Sequence, residues 1–122
     1  MSRYVMVKTQ LRDLRLLRET LQGMGCSVQE GAAVRLMAGE RRADLVAQTP
    51  AGSVGFVQAG EDVRAVGMEE LLRREAFRRF LEQVTQQYAR RQVMAEAERA
   101  GYRLVEETVE ADNTIRLVVR RW

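Results

Sequence analysis

The residues best suited to chemistry in this 122-residue chain are acids, arginines and one thiol, because it contains no histidine. Without imidazole it lacks the usual general base near neutral pH and the commonest transition-metal ligand. A Ser-His-Asp triad, a Cys-His dyad and a zinc site of the usual nitrogen and sulfur ligands cannot be assembled within one such chain. Cys26, the single cysteine, can form neither an internal disulfide nor a cysteine metal cluster. Standing just after a predicted helix with no histidine to activate it, it reads as a small core residue rather than a nucleophile. Gly23-Met24-Gly25 follows a helix, whereas a dinucleotide fingerprint follows a strand and opens a helix. No catalytic residue, cofactor site or metal site is expected.

Carboxylates are the remaining route to catalysis. Asp44 lies in a predicted strand between apolar neighbours and would be a candidate functional acid, but Arg41 and Arg42 beside it offer an ion pair, and acids are rarely buried unless paired. Glu106, Glu107 and Glu110 cluster in and just after another strand. Side chains alternate along a strand, so Glu106 and Glu107 point to opposite faces and cannot form one paired site. Glu106 is expected to pair across a hairpin with Arg116 and Arg120, and ion pairing is favoured over acid–base catalysis for all of these acids.

The basic residues are arginine except for Lys8, and the formal net charge is +3. Arginine's planar fork suits phosphate and carboxylate, although a coding bias would give the same ratio. The clusters are Arg73-Arg74, Arg78-Arg79, Arg90-Arg91 and Arg120-Arg121. Glu69 with Arg73, Glu70 with Arg74 and Glu75 with Arg79 have the stabilising i,i+4 order. A solvated helical face is therefore favoured over a nucleic-acid groove, especially as no aromatic platform is interleaved with the arginines. Arg120-Arg121-Trp122 differs in kind, joining the sole tryptophan to two guanidinium groups, residue types enriched in binding hot spots. Docking of that end onto its own domain is the competing reading.

The elements that must position these groups follow from periodicity. Arg3 to Thr9 is a short strand, apolar on both sides and so expected in a sheet interior. Leu14, Leu17, Leu21 and Met24 mark a first helix, capped by Asp13 or Thr9. Cys26 to Glu30 and Val34 to Met37 are short extended pieces, the second ending before a turn at Gly39-Glu40. Ala43 to Thr49 and Ser53 to Gln58 form a hairpin about Pro50-Ala51, and Asp62 to Val66 is a further strand. From Met68 to Gly101 the chain predicts one long helix with a stripe of Phe77, Leu81, Val84 and Tyr88. Val93 and Ala97 fall opposite that stripe, so the helix either kinks near Gln87 to Gln92 or is buried on two sides. Tyr102 to Val109 and Thr114 to Trp122 form a closing hairpin about Glu110 to Asn113.

The order β-α-β(3 to 5)-α-β-β predicts an α+β fold, a mostly antiparallel sheet with two main helices packed on one face. A single domain over residues 1–122 fits the length. Hydrophobic residues make up 46% and charged residues 30%, a balance that excludes a disordered chain. No apolar run approaches the ~20 residues needed to cross a bilayer, and the start does not read as a signal peptide, so a cytoplasmic location is expected.

Met1-Ser2-Arg3-Tyr4, Val7 to Leu14, Arg42-Ala43-Asp44-Leu45-Val46 and Gly55-Phe56 together carry a resemblance. So do Thr85-Gln86-Gln87-Tyr88-Ala89 and the ending Gly101-Tyr102 to Val109 and Thr114 to Trp122. Over nearly its whole length the chain resembles the hypothetical chloroplast reading frame thirty-five family, a domain of unknown function in cyanobacteria, algal chloroplasts and other bacteria. The resemblance implies histidines near Arg3 and near Arg90-Arg91 in relatives, so any histidine chemistry there would be lost in this chain. It implies no activity, but genes of bacterial members near a MoxR-type AAA+ ATPase hint at an accessory or adaptor role.

The favoured reading is a non-enzymatic accessory module binding a protein partner, with a MoxR-type AAA+ ATPase as the named candidate and no cofactor. Tyr88, Arg90, Arg91, Arg120, Arg121 and Trp122 form the expected partner-binding surface. Arginine-mediated nucleic-acid binding is the alternative and a carboxylate-dependent enzyme comes third; homo-oligomerisation stays open.

Overall fold

The computed structural model describes residues 3–36 and 39–121. In chain order the elements are β1 (Tyr4–Lys8), α1 (Leu14–Gly23), β2 (Val28–Glu30), β3 (Ala33–Leu36), β4 (Gly39–Arg42), β5 (Leu45–Thr49), β6 (Gly52–Ala59), β7 (Asp62–Met68), α2 (Glu69–Leu72), α3 (Glu75–Arg99), β8 (Tyr102–Val109) and β9 (Ile115–Arg121). Five of the strands form an antiparallel sheet in the order β1-β7-β6-β5-β2. Alternation along β6 and β7 turns Val54, Phe56, Val63 and Ala65 to one face, where Leu17 and Leu21 of α1 and Phe77, Phe80 and Val84 of α3 cover them. Burying each of these larger side chains contributes roughly 1.5–3 kcal/mol. The α+β class and the two main helices on one sheet face are as the sequence predicts.

Local chemistry sets the element ends. Asp13 caps α1, its Oδ1 accepting from the backbone N–H groups of Arg15 at 2.9 Å and Leu16 at 3.2 Å. Thr9, the other expected cap, is instead buried, and its hydroxyl donates to the carbonyl of Val63 at 2.5 Å and accepts from Leu11 N–H at 3.1 Å. The β5–β6 hairpin turns at Pro50-Ala51, as expected, with Thr49 paired to Gly52.

The opposite face of the sheet is covered by its own extension. β2 and β5 continue past their pairing through Gly31 N–H to Asp44 carbonyl (2.9 Å) and Ala43 N–H to Ala32 carbonyl (2.9 Å), and then as the β3–β4 pair. Gly31 adopts φ +57°, a conformation glycine takes without a Cβ penalty. There the two-stranded ribbon bends, so that β3 lies against β6 and β7. Ala32, Ala43, Val46, Val57, Val66 and Tyr4 form a second, smaller apolar cluster on this side.

Five expectations are corrected. Gly39 and Glu40, expected to turn, begin β4, and Met37 lies outside the described residues. β1 is an edge strand, not an interior one; it is apolar on both sides because each face of the sheet has its own cover, not because strands flank it. The helix from Met68 is broken at Arg73-Arg74, and Arg74 caps α3 with extended backbone while its Nη1 donates to the Ala51 carbonyl at 3.0 Å. The expected Glu70–Arg74 pairing is therefore lost to the break, while α3 is continuous through Gln87 to Gln92. Nor is α3 buried on two sides: its buried residues end at Tyr88 and Val93 is 50% exposed, because the second half runs beyond the sheet.

Gly52 is fixed by two constraints at once, φ +128° and Leu71 Cδ1 standing 2.8 Å from where a Cβ would lie. Gly52→Ala should lower unfolding stability by about 1–3 kcal/mol, measured by urea denaturation. A midpoint unchanged from wild type would contradict this geometry.

Candidate functional site

α3 buries one stripe and leaves another open. Phe77, Phe80, Val84 and Tyr88 face the core, whereas Glu82, Gln86, Ala89 and Val93, three or four residues apart, share an outward side. Three depressions border it. The largest, about 1020 Å³, lies between Gly23-Met24 at the end of α1, Gln83 and Gln87 of α3, and the turn from Asp112 to Ile115. A second of about 710 Å³ has Lys8, Thr9 and Gln10 on one wall and Leu81, Thr85 and Ala89 on the other. A third of about 360 Å³ lies between Ala89, Arg90 and Val93 and the hairpin residues Ile115 and Leu117. Gln86 lines all three.

The hairpin wall is held by polar contacts from α3. β8 and β9 form a separate two-stranded sheet, with a register shift between Leu104 and Glu106. Arg90 donates from Nε at 2.5 Å and Nη2 at 2.8 Å to the two carboxylate oxygens of Glu107. The hydrogen bond from Arg90 holds the Glu107 carboxyl below its usual range, and Glu107 raises Arg90 in return. Gln86 Nε2 donates to the carbonyl of Asn113 in the turn, where Asn113 takes φ +67°.

Five of the six residues expected to form a partner surface are described, and the fold gives them different neighbours. Tyr88 is 5% exposed, and its hydroxyl accepts from the backbone N–H groups of Arg12 at 3.3 Å and Asp13 at 3.0 Å. It ties the start of α1 to α3 and presents no binding surface. Arg90 is engaged by Glu107, and the guanidinium of Arg91 lies where a side chain at Gly23 would stand. Arg120 is paired in register with Arg103, and Arg121 with Tyr102, its guanidinium carbon 5.9 Å from the ring centroid in a cation–π arrangement. Trp122 lies outside the described residues.

The acids have local employment. Asp44 is exposed, and its Oδ2 accepts from Gln58 N–H at 2.7 Å, extending the β5–β6 ladder. Arg42 donates to the Gly31 carbonyl. The register sets Glu106 opposite Val118, with Arg116 and Arg120 as its diagonal neighbours across the hairpin, and the Glu106 carboxylate accepts from the Thr108 hydroxyl at 3.5 Å. On the helices Arg73 meets Glu69 at 2.9 Å, and Arg78 and Arg79 meet Glu75 at 3.4 and 3.0 Å. Arg3 also bonds Glu69 at 2.7 Å and holds that carboxyl below its usual range. Cys26 packs against the core, and burial pushes its thiol up. Among the described residues no group of His, Cys, Asp and Glu is placed to hold a metal ion, and no helix is long and apolar enough to cross a membrane.

Gln86, Ala89, Leu81 and Thr85 are the cleft residues that side-chain chemistry did not single out. Leu81 was visible only as a member of the apolar stripe, and the signal of the other three was the Thr85 to Ala89 block that helps carry the family resemblance.

Fold and site together define a small α+β domain that presents the side of one long helix between a sheet edge and a detached hairpin. Residues 20–118 match the model of a family described as "Protein of unknown function (DUF1257)", and the chain belongs to that family. It is 24% identical to "Uncharacterized protein ycf35" of Pyropia yezoensis and 28% identical to the proteins of the same name from Cyanophora paradoxa and Guillardia theta, each match covering 100% of this chain and 98% of the relative. The resemblance read from the sequence is thus borne out. No solved structure matches the chain.

Two outcomes follow from the contacts on α3. Tyr88→Phe should cost about 1–3 kcal/mol in urea unfolding, because two backbone donors lose their acceptor; unaltered stability would return Tyr88 to the surface. The Glu107 carboxyl is lower in the folded chain than in the unfolded one, so its contribution is complete above the ordinary glutamate value of about 4.3. It is lost as pH falls through the depressed folded value. Wild type should therefore lose more stability than Glu107→Gln on acidification through that window, and parallel pH profiles would contradict the pairing.

Proposed function

We propose that this chain is a non-enzymatic accessory module that binds a protein partner through the outward side of α3. The observation that carries the reading is the meeting of three depressions at Gln86. Their walls supply the groups a protein surface uses. The amides of Gln83 and Gln87 can each donate and accept, as a main chain requires, while exposed Val93 and Val109 add apolar area at the margins. The helix arginines that would serve a nucleic acid are largely engaged by Glu69 and Glu75, which favours the protein reading over the arginine-mediated alternative. The family resemblance puts a MoxR-type AAA+ ATPase first among partners to assay.

A photo-crosslinking residue at Gln83, with a control at Arg15 on exposed α1, tests this in a native extract. A discrete protein adduct from position 83 and not from position 15 is the expected outcome. Equal adducts from both positions, or none from 83, would contradict it.

A further inference from the structure

The edge of β1 has properties that its place in the sheet makes specific. Among the described residues β1 pairs with β7 alone. Arg3 accepts a main-chain bond from Glu69 at 2.6 Å, and hydrogen-bonded pairs alternate along an antiparallel ladder. In this register Val5 and Val7 are bonded to β7, and Met6 and Lys8 turn their main-chain N–H and C=O groups toward the open edge. Met6 is 46% exposed. At the C-terminal end of this edge the 710 Å³ depression opens, with Lys8 and the following Thr9 and Gln10 facing Leu81, Thr85 and Ala89 of α3. A strand edge with outward hydrogen-bonding groups next to a helix-walled apolar groove is the geometry in which an extended peptide adds to a sheet: the main chain gives affinity, and alternate side chains enter the groove.

We propose that the β1 edge and the groove under α3 receive an extended, acidic segment of the partner protein as an added strand. Rows of such groups left open usually invite association, and a lysine at the edge is one way proteins discourage it. Lys8, the sole lysine of the chain, has that effect on a second copy, which would also bring a second net charge of +3. It has the opposite effect on a segment carrying Asp or Glu. Arg78 at the far wall of the groove already meets Glu75, and Glu82 also lines that wall, so Lys8 at the edge supplies the preference for an acidic segment, while the small Ala89 and Thr85 leave room for the inward side chains. The inference rests on the protein-binding reading and names its mode.

The test uses the full chain and a fluorescein-labelled peptide alternating valine with aspartate, read by anisotropy, with a valine–lysine peptide as control. The aspartate peptide should bind, and on binding the amide hydrogens of Met6 and Lys8 should become protected from exchange. Lys8→Glu should weaken it about tenfold or more by reversing the edge charge. Ala89→Trp, which fills the groove from an exposed position, should do the same. Circular dichroism of both variants checks that they fold, and Met6→Pro, which removes an outward N–H that the β7 ladder does not use, provides a third variant. No binding by wild type, equal binding of the lysine peptide, equal binding by folded variants, or dimerisation that buries β1 would each overturn the proposal. A partner adduct at position 83 that survives Lys8→Glu and Ala89→Trp would overturn this mode while leaving protein binding intact.

Discussion

The fold depends on one helix serving two bodies that share no strand pairing. Its first half closes the core of the five-stranded sheet through Phe77, Phe80 and Val84, and its second half carries the β8–β9 hairpin. A two-stranded hairpin is marginal on its own in water, so it must borrow order from α3. The Arg90–Glu107 fork and the Gln86–Asn113 bond supply that order at its base and at its turn. Tyr88, between those two positions, fixes α3 to the first turn of α1. The open side of the helix is therefore a rigid floor whose walls are set by contacts made within a single stretch of seven residues or so, about two turns.

This economy gives Tyr88, Arg90 and Arg91, grouped as one surface in the sequence, a different structural contact each. An aromatic hydroxyl next to two guanidinium groups has the chemistry of a recognition patch. Helical geometry points the three in different directions, and each meets an element distant in sequence: the α1 start, the hairpin and the α1 end. Nothing in the local spacing identifies those elements.

Much else was legible. The α+β class, the cap at Asp13, the hairpin about Pro50-Ala51 and the closing hairpin follow from period, cap and turn residues, all local signals. The break at Arg73-Arg74 was hidden because both residues are good helix formers, and the extended Arg74 that follows the first short helix bonds the Ala51 carbonyl, 23 residues away in sequence. The position of β1 was hidden for a different reason. A strand apolar on both sides reads as interior when covers come from neighbouring strands, but here one cover is a helix pair and the other a ribbon bent at Gly31. Strand order within a sheet leaves no periodic trace, so the open edge emerged only from the pairing.

The outward side of α3 thus combines a fixed floor, a free strand edge and a mixed polar and apolar lining. Hydroxyl-radical footprinting of the chain with and without its bound partner tests that combination most directly. Protection should fall on Met6, Leu81, Val93 and Val109, with Val57 and Val66 under the β3–β4 ribbon unchanged. Protection confined to the ribbon side of the sheet, with Leu81 and Val93 labelled as in the free chain, would contradict a recognition surface on α3.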